Sequence, residues 1–255
     1  MPHFAAVLFD LDGTLLDTAP DLGAAVNHVL SANAMPPLDD EVIRRIASDG
    51  ALGLLKAGFG EEQLAQMDTP LLRQALLDYY AAHLYEGTHP YPGMVEFIAS
   101  LNQAAIPWGI VTNKPAFLTE PLMAQVSELP QCGVIVSADT LPQRKPHPAP
   151  LLYACQQLGV TAAHCLYIGD HIRDIEAGRA AGMQTAIAGW GYLDPQENSA
   201  LWGADVQFAD VAALHAWLHQ HRVSIFCSVV CSGDVAELLK MKKKYIFKIR
   251  CQRPS

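Results

Sequence analysis

An α/β fold, with a doubly wound parallel sheet and an inserted α-helical cap, is the architecture that this 255-residue sequence predicts. Three observations carry that prediction. Short apolar runs rich in Val and Ile recur, segments of helical periodicity separate them, and one long interval near the start holds helices alone. Runs that are apolar throughout, rather than alternating, suit strands covered on both faces, as in a parallel sheet.

Taken in order, the expected strands are 5–9 (AAVLF), 108–112 (WGIVT), 133–137 (GVIVS), 165–169 (CLYIG), 185–189 (TAIAG) and 204–208 (ADVQF). Helices are expected at 94–104, 149–159 and 174–182, which completes a Rossmann-like core. Residues 19–87 carry no strand signal. "PDLGAAVNHVLSAN" opens on Pro20 and Asp21 and places Ala24, Ala25, His28 and Val29 on one helical face. "DDEVIRRIASDG" begins on acids and ends near Gly50, and "TPLLRQALLDYYAAHLYEG" runs from Thr69 as cap, through Pro70 in the first turn, to Gly87. Several helices between consecutive strands exceed a single crossover. The expected division is therefore a catalytic core of 1–18 and 88–221 and a helical cap of 19–87, hinged at Gly13-Thr14 and at 87–93.

The net charge of −9 excludes a broad nucleic-acid surface, which needs clustered Lys and Arg. That charge is uneven: residues 222–255 carry +6 and the rest −15, so a basic extension, dispensable for stability and activity, is expected there. No stretch has the apolar length of a membrane span, and the first residues lack a basic n-region. The six cysteines (132, 155, 165, 227, 231 and 251) show no paired spacing, so reduced thiols in a cytoplasmic protein are expected. Oligomeric state is left open.

In a doubly wound sheet, ligands bind beyond the carboxyl ends of the strands. Asp10 ends the first expected strand and Asp12 follows two residues later. Thr112 and Asn113 end the second, Lys145 in "RKPHP" precedes the helix near Pro148, and Asp170 ends "LYIGD" with Asp174 one turn on. Singly these are ordinary: Asp12-Gly13 suits a turn, and Asp170 and Asp174 suit a helix N-terminus. Together they bring carboxylates, a hydroxyl and an ammonium to one edge. Asp10, Asp170 and Asp174 offer the hard oxygens that Mg²⁺ takes. A carboxylate about 3.5 Å from phosphate is repelled by roughly 5 kcal/mol per charge pair at an effective dielectric of about 20. Mg²⁺ and Lys145 can offset that repulsion while Thr112 donates to a phosphoryl oxygen. Asp10 can then attack phosphorus, and Asp12 can protonate the leaving oxygen and later take a proton from water. Thr112, Asn113 and Lys145 form the expected phosphate-binding set.

"DLDGT", "VTN", "KPHP" and "GDHIRD" resemble, in this order, the four motifs of the haloacid dehalogenase superfamily, over about residues 5–215. The resemblance implies Asp10 as nucleophile and Asp12 as acid/base. It also implies Mg²⁺ held by the Asp10 carboxylate, the Asp12 carbonyl and Asp170, with Asp174 assisting directly or through water. The helical insert is similar to the mobile cap of that superfamily, which closes over substrate. Dehalogenases of the superfamily lack an acid at the position of Asp12, which argues against that activity. "DLDGTLLDTAPDL" and "RKPHPAPLL" look most like phosphoglycolate phosphatases; "PWGIVTNKP", "GDHIRDIEAGRAAG" and "WGADV" also resemble N-acetylmuramic acid 6-phosphate phosphatases. Each reading implies a small phosphorylated metabolite as partner. A phosphomutase of the β-phosphoglucomutase type, or a regulatory domain that only binds a phosphorylated ligand, are the competing functions.

His171 departs from the resemblance, since relatives more often carry a small or acidic residue there; it either faces solvent or leans toward the metal site. "IASDGALGL" (46–54) is either the substrate-facing loop of the cap or a plain connection. Arg44, Arg45 and Lys56 meet either water or a substrate carboxylate. His89 and His147 are expected at the surface, and Trp190 and Trp202 in packing.

Overall fold

The computed structural model describes residues 4–130 and 132–220. Phe4–Ala213 forms one compact unit, and residues 1–3 with 214–255 form a second, of which only 214–220 are described. The expected basic extension at 222–255 and three of the cysteines lie outside the described residues.

Six parallel strands form the main sheet, and all six coincide with the apolar runs. They are β1 (Ala6–Phe9), β4 (Trp108–Val111), β5 (Val134–Val136), β6 (Cys165–Gly169), β7 (Gln184–Ala188) and β8 (Val206–Phe208), in the spatial order β5-β4-β1-β6-β7-β8. Register pairs Phe9 with Ile110 on one side and Ile168 on the other. The chain leaves β1 in one direction to β4 and β5, then returns to its other side at β6. β1 is thus the central strand at the switch point, the position where such sheets open a crevice. Every residue of β1, β4 and β6 is buried, as a sheet covered on both faces demands. Phe9 packs edge-on against Phe97 and Trp108, with centroids 6.1 and 6.3 Å away.

The covering helices are α6 (Met94–Gln103), α7 (Ala116–Gln125), α8 (Ala149–Leu158) and α9 (Ile172–Ala180). Three fall within one or two residues of expectation. α7 has no counterpart in the sequence reading, because Pro121 lies inside it and Pro115 caps it, and both read as breaks.

Between β1 and β4 the chain makes two short strands, β2 (Leu16–Asp17) and β3 (His89–Pro90), which pair antiparallel as Leu16 with Pro90 and Asp17 with His89. Everything between them is helical or loop: α1 (Ala19–Ala32), α2 (Asp40–Ile46), a 3₁₀ turn (Ala47–Asp49), α3 (Gly50–Phe59), α4 (Glu61–Leu64) and α5 (Thr69–Ala82). α1 buries Leu22, Ala25, Val26, Val29 and Leu30, while Ala24 and His28 are exposed. One local expectation, the cap of α5, is corrected. α5 is capped by Asp68, whose carboxylate accepts from the Leu71 amide at 3.1 Å. Thr69 is already helical, and its hydroxyl bonds the Leu64 carbonyl.

Candidate active site

The carboxyl ends of β1, β4 and β6 deliver the expected residues to one place. Asp10 follows β1 directly, its amide still bonded to the Ile168 carbonyl of β6. Its Oδ1 accepts from the Leu11 amide at 2.7 Å and lies 2.9 Å from Lys145 Nζ. The Lys145 side chain is fully buried and its ammonium has four partners. They are Asp10 Oδ1, Asp174 Oδ1 at 2.8 Å, the Val111 carbonyl at 2.8 Å and the Tyr167 hydroxyl at 2.9 Å. A buried ammonium is tolerated when its charge is paired and its donors are used, and here both hold.

Asp174 is fixed from two sides. Its Oδ1 meets Lys145 and the Tyr167 hydroxyl, and its Oδ2 accepts from the His171 amide as part of the capping box that starts α9. The strand must approach this carboxylate closely, since a Cβ on Gly169 would lie 2.3 Å from the Asp174 Cβ. Asp170 receives neutral donors instead: the Thr14 hydroxyl at 3.0 Å, the Ser48 hydroxyl at 3.1 Å and the Tyr192 amide at 2.9 Å. Gly13, with φ of +78°, passes so near that its Cβ would fall 2.1 Å from Asp170 Oδ2.

Asp10, Asp170 and Asp174, all buried, offer one oxygen each within 4.8 Å of one another. Lys145 offsets charge on Asp10 and Asp174, but no described cation touches Asp170. Burial first, then Asp10 and Asp174, push its carboxyl up to about 7. Three crowded carboxylates with one shared ammonium form the donor set and charge deficit that a divalent cation suits. The residues present fit one.

Asp12 stands apart from this cluster. Its Oδ1 accepts from the Thr18 hydroxyl at 2.6 Å and from Lys114 Nζ at 2.9 Å. Lys114 also meets the Tyr80 hydroxyl at 2.9 Å. Burial works against its charge, yet Asp12 and then Tyr80 outweigh that and hold the ammonium above its ordinary range. Thr112 is buried beside these groups, its Oγ1 accepting the Lys114 amide at 3.1 Å. Asn113 was expected among the phosphate contacts; both ends of its side-chain amide bond the Lys145 main chain, at 3.0 and 3.1 Å. It clamps the loop that carries Lys145.

The 3₁₀ turn between α2 and α3 reaches this floor. Besides the Ser48 hydroxyl on Asp170, the Ser48 carbonyl accepts from Arg173 Nη2 at 2.5 Å, and Asp49 Oδ1 lies 3.8 Å from His171 Nε2. His171 thus neither faces open solvent nor joins the carboxylate cluster: its Nδ1 accepts the Arg173 amide and caps α9. Arg44 is paired with Asp17 at 2.7 Å and Lys56 with Glu61 at 3.1 Å. Trp202 packs with Ile175 and Ile187, and Trp190 donates to the Thr14 carbonyl. His89 and His147 are exposed. Cys132, Cys155 and Cys165 are free thiols. Among the described residues no helix is long and apolar enough to cross a membrane.

The sequence reading gave no role to Lys114, Thr18, Tyr80 and Tyr192, took Thr14 only as a hinge and reached Ser48 only as part of the 46–54 stretch. Lys114 was reachable, since it follows Thr112 and Asn113 at the same sheet edge. The others approach only through the fold.

The haloacid dehalogenase-like hydrolase family matches residues 7–188. An N-acetylmuramic acid 6-phosphate phosphatase of Pseudomonas aeruginosa is 44% identical over 204 residues, 79% of this chain and 88% of that protein. A phosphoglycolate phosphatase of Xylella fastidiosa is 40% identical over 199 residues, 78% of this chain and 86% of that protein. Among solved structures, a predicted phosphoglycolate phosphatase from Haemophilus somnus superposes with a TM-score of 0.72 at 26% identity, covering 83% of this chain and 96% of that one. The chain belongs to the haloacid dehalogenase-like hydrolase family and is a phosphatase.

Proposed function

We propose that the chain is a Mg²⁺-dependent phosphomonoesterase that cleaves a small, carboxylate-bearing phosphate ester through an aspartyl-phosphate. The observation that carries this reading is the Asp10 carboxylate at the end of the central strand. One of its oxygens is held by Leu11 and Lys145, and the other has no partner among the described residues. The pinned oxygen fixes the orientation of the free one, Oδ2, as an in-line displacement at phosphorus requires.

In the first step Oδ2 of Asp10 forms a bond to phosphorus as the ester P–O bond breaks. The departing oxygen takes a proton from Asp12. In the second, water attacks the same phosphorus, gives a proton to Asp12 and releases inorganic phosphate, which restores Asp10. Lys145 offsets negative charge on Asp10 throughout, and Thr112 is the hydroxyl donor assigned to a phosphoryl oxygen. Asp10, Asp170 and Asp174, with the Asp12 main-chain carbonyl, are the residues assigned to Mg²⁺, which supplies charge neutralisation and Lewis acidity at phosphate. Residues 19–87 are assigned the role of a cap whose Ser48 turn lies over the metal site. Reduced thiols suit a cytoplasmic setting.

The substrate class rests on the two relatives, whose names give phosphoglycolate and N-acetylmuramic acid 6-phosphate; both esters carry a carboxylate. A phosphate-release assay with Mg²⁺, covering these two esters, pyrophosphate and common sugar phosphates, tests the reading. Free phosphate from one of the two is expected, with the Asp10→Asn variant folded and slower by about 10⁴-fold or more. Retained turnover in Asp10→Asn overturns the nucleophile, and conversion of a sugar 1-phosphate to its 6-phosphate marks a mutase instead.

A further inference from the structure

The ion pair at Asp12 differs from an ordinary surface pair in three respects. First, both of its donors converge on one oxygen: the Thr18 hydroxyl and the Lys114 ammonium each meet Oδ1, at 2.6 and 2.9 Å. Oδ2 has no partner among the described residues. Second, the side chains are 5% and 18% exposed for Lys114 and Asp12, so the pair is largely withdrawn from water, with most of its remaining exposure on Asp12. Third, the ammonium is itself held. Its Nζ lies 2.9 Å from the Tyr80 hydroxyl and 4.4 Å from the Tyr80 ring centroid, and Tyr80 is fully buried in α5.

The supporting main chain is equally constrained. The Lys114 amide donates to Thr112 Oγ1, and its carbonyl accepts from the Ala138 amide and the Thr119 hydroxyl. On the other side the Thr18 amide donates to the Tyr192 hydroxyl at 2.7 Å. Two firm supports therefore grip one oxygen of a carboxyl group that would otherwise rotate about its Cβ–Cγ bond. Gripping one oxygen determines where the other points.

We propose that Lys114 is a positioning residue for Asp12: it holds Oδ1 so that Oδ2 is presented to the leaving oxygen, and Tyr80 of α5 holds Lys114 in place. This inference rests on the reading of Asp12 as acid/base. It links proton transfer to the helical stretch, since Tyr80 is contributed by α5. Lys114 acts through Asp12 and makes no bond to the reacting atoms.

The test uses leaving groups of different need. An alkyl ester departs as a strongly basic oxygen and requires the proton, whereas p-nitrophenyl phosphate departs as a weakly basic phenolate and does not. The full-length protein, with Mg²⁺, is assayed for kcat/KM, which reports the first phosphoryl transfer. The substrates are p-nitrophenyl phosphate and the alkyl ester turned over fastest in the phosphate-release assay. Asp12→Asn is the reference, expected to lose at least about 100-fold more on the alkyl ester than on p-nitrophenyl phosphate. Lys114→Met should show the same bias at about tenfold, Lys114→Arg should restore part of it, and Tyr80→Phe should show it at about two- to fivefold.

An equal loss on both esters in Lys114→Met, or a change in KM alone, means a structural or substrate-binding role and overturns the proposal. If Lys114→Met does not fold, Tyr80→Phe decides, and no bias there overturns it. A reference variant without bias removes the acid/base reading of Asp12 and the proposal with it. Bias in Asp12→Asn but in neither Lys114→Met nor Tyr80→Phe removes the proposal alone.

Discussion

Asp10 and Asp12 are two residues apart, yet they sit in opposite kinds of surroundings. Asp10 belongs to a floor built almost entirely by the sheet: β1, β4 and β6 supply it, the Val111 carbonyl, Tyr167 and Asp170, and the buried Lys145 ammonium ties Asp10, the Val111 carbonyl and Tyr167 together. Asp12 belongs to a rim built by loops and by α5, where Thr18 and Lys114 meet it and Tyr80 holds Lys114. The floor concentrates negative charge around one ammonium and leaves Asp170 without a described cation. The rim matches one carboxylate with one ammonium. A charge deficit invites a metal, whereas a matched pair fixes a direction.

The largest expected break in this contrast is Lys145→Met. Removing the ammonium leaves Asp10 and Asp174 buried and unpaired, so without metal the protein should lose about 3–5 kcal/mol of stability. Mg²⁺ should restore much of the lost melting temperature if, as proposed, it binds the same two carboxylates. An unchanged melting temperature, or no recovery with Mg²⁺, would show that the floor is not organised by charge.

A second effect comes from pH. Asp170, pushed up to about 7, holds a proton below that point that a cation must displace. The sign follows: apparent Mg²⁺ affinity should rise with pH up to about 7, by about tenfold per unit, and level off above it. At a fixed subsaturating Mg²⁺ concentration the thermal stabilisation by Mg²⁺ should therefore be larger at pH 8 than at pH 6. Equal stabilisation at both would place the cation elsewhere.

The smallest expected effect is Ser48→Ala. It removes one hydrogen bond from the 3₁₀ turn to Asp170, worth about 1 kcal/mol. A rise in KM of up to about fivefold with kcat nearly unchanged is expected if the turn helps to close the site. A large fall in kcat would overturn a closing role for the turn and place Ser48 with the groups that organise Asp170.

The floor was legible in the sequence and most of the rim was not. Asp10, Thr112 and Asp170 stand just beyond strand ends, Asp174 lies one helical turn later and Lys145 sits in the loop between β5 and α8, so a reading of strands and helix starts carries them to one edge. α7 was missed because Pro121 breaks its pattern. Asn113 stands at the expected edge, but its side chain clamps Lys145, a pairing across 32 residues that no local pattern encodes.

By itself the sequence determined the six strands of the main sheet, the fold class and the order of acidic and basic residues along one sheet edge. These follow from periodicity and from where apolar runs stop, which are properties of neighbours along the chain. Only the tertiary structure decided which oxygen of Asp12 is held and that Tyr80 reaches Lys114. It alone decided, too, that Ser48 rests on Asp170, 122 residues away. The direction of a side chain depends on groups brought near by folding, and their distance along the chain carries no trace of it.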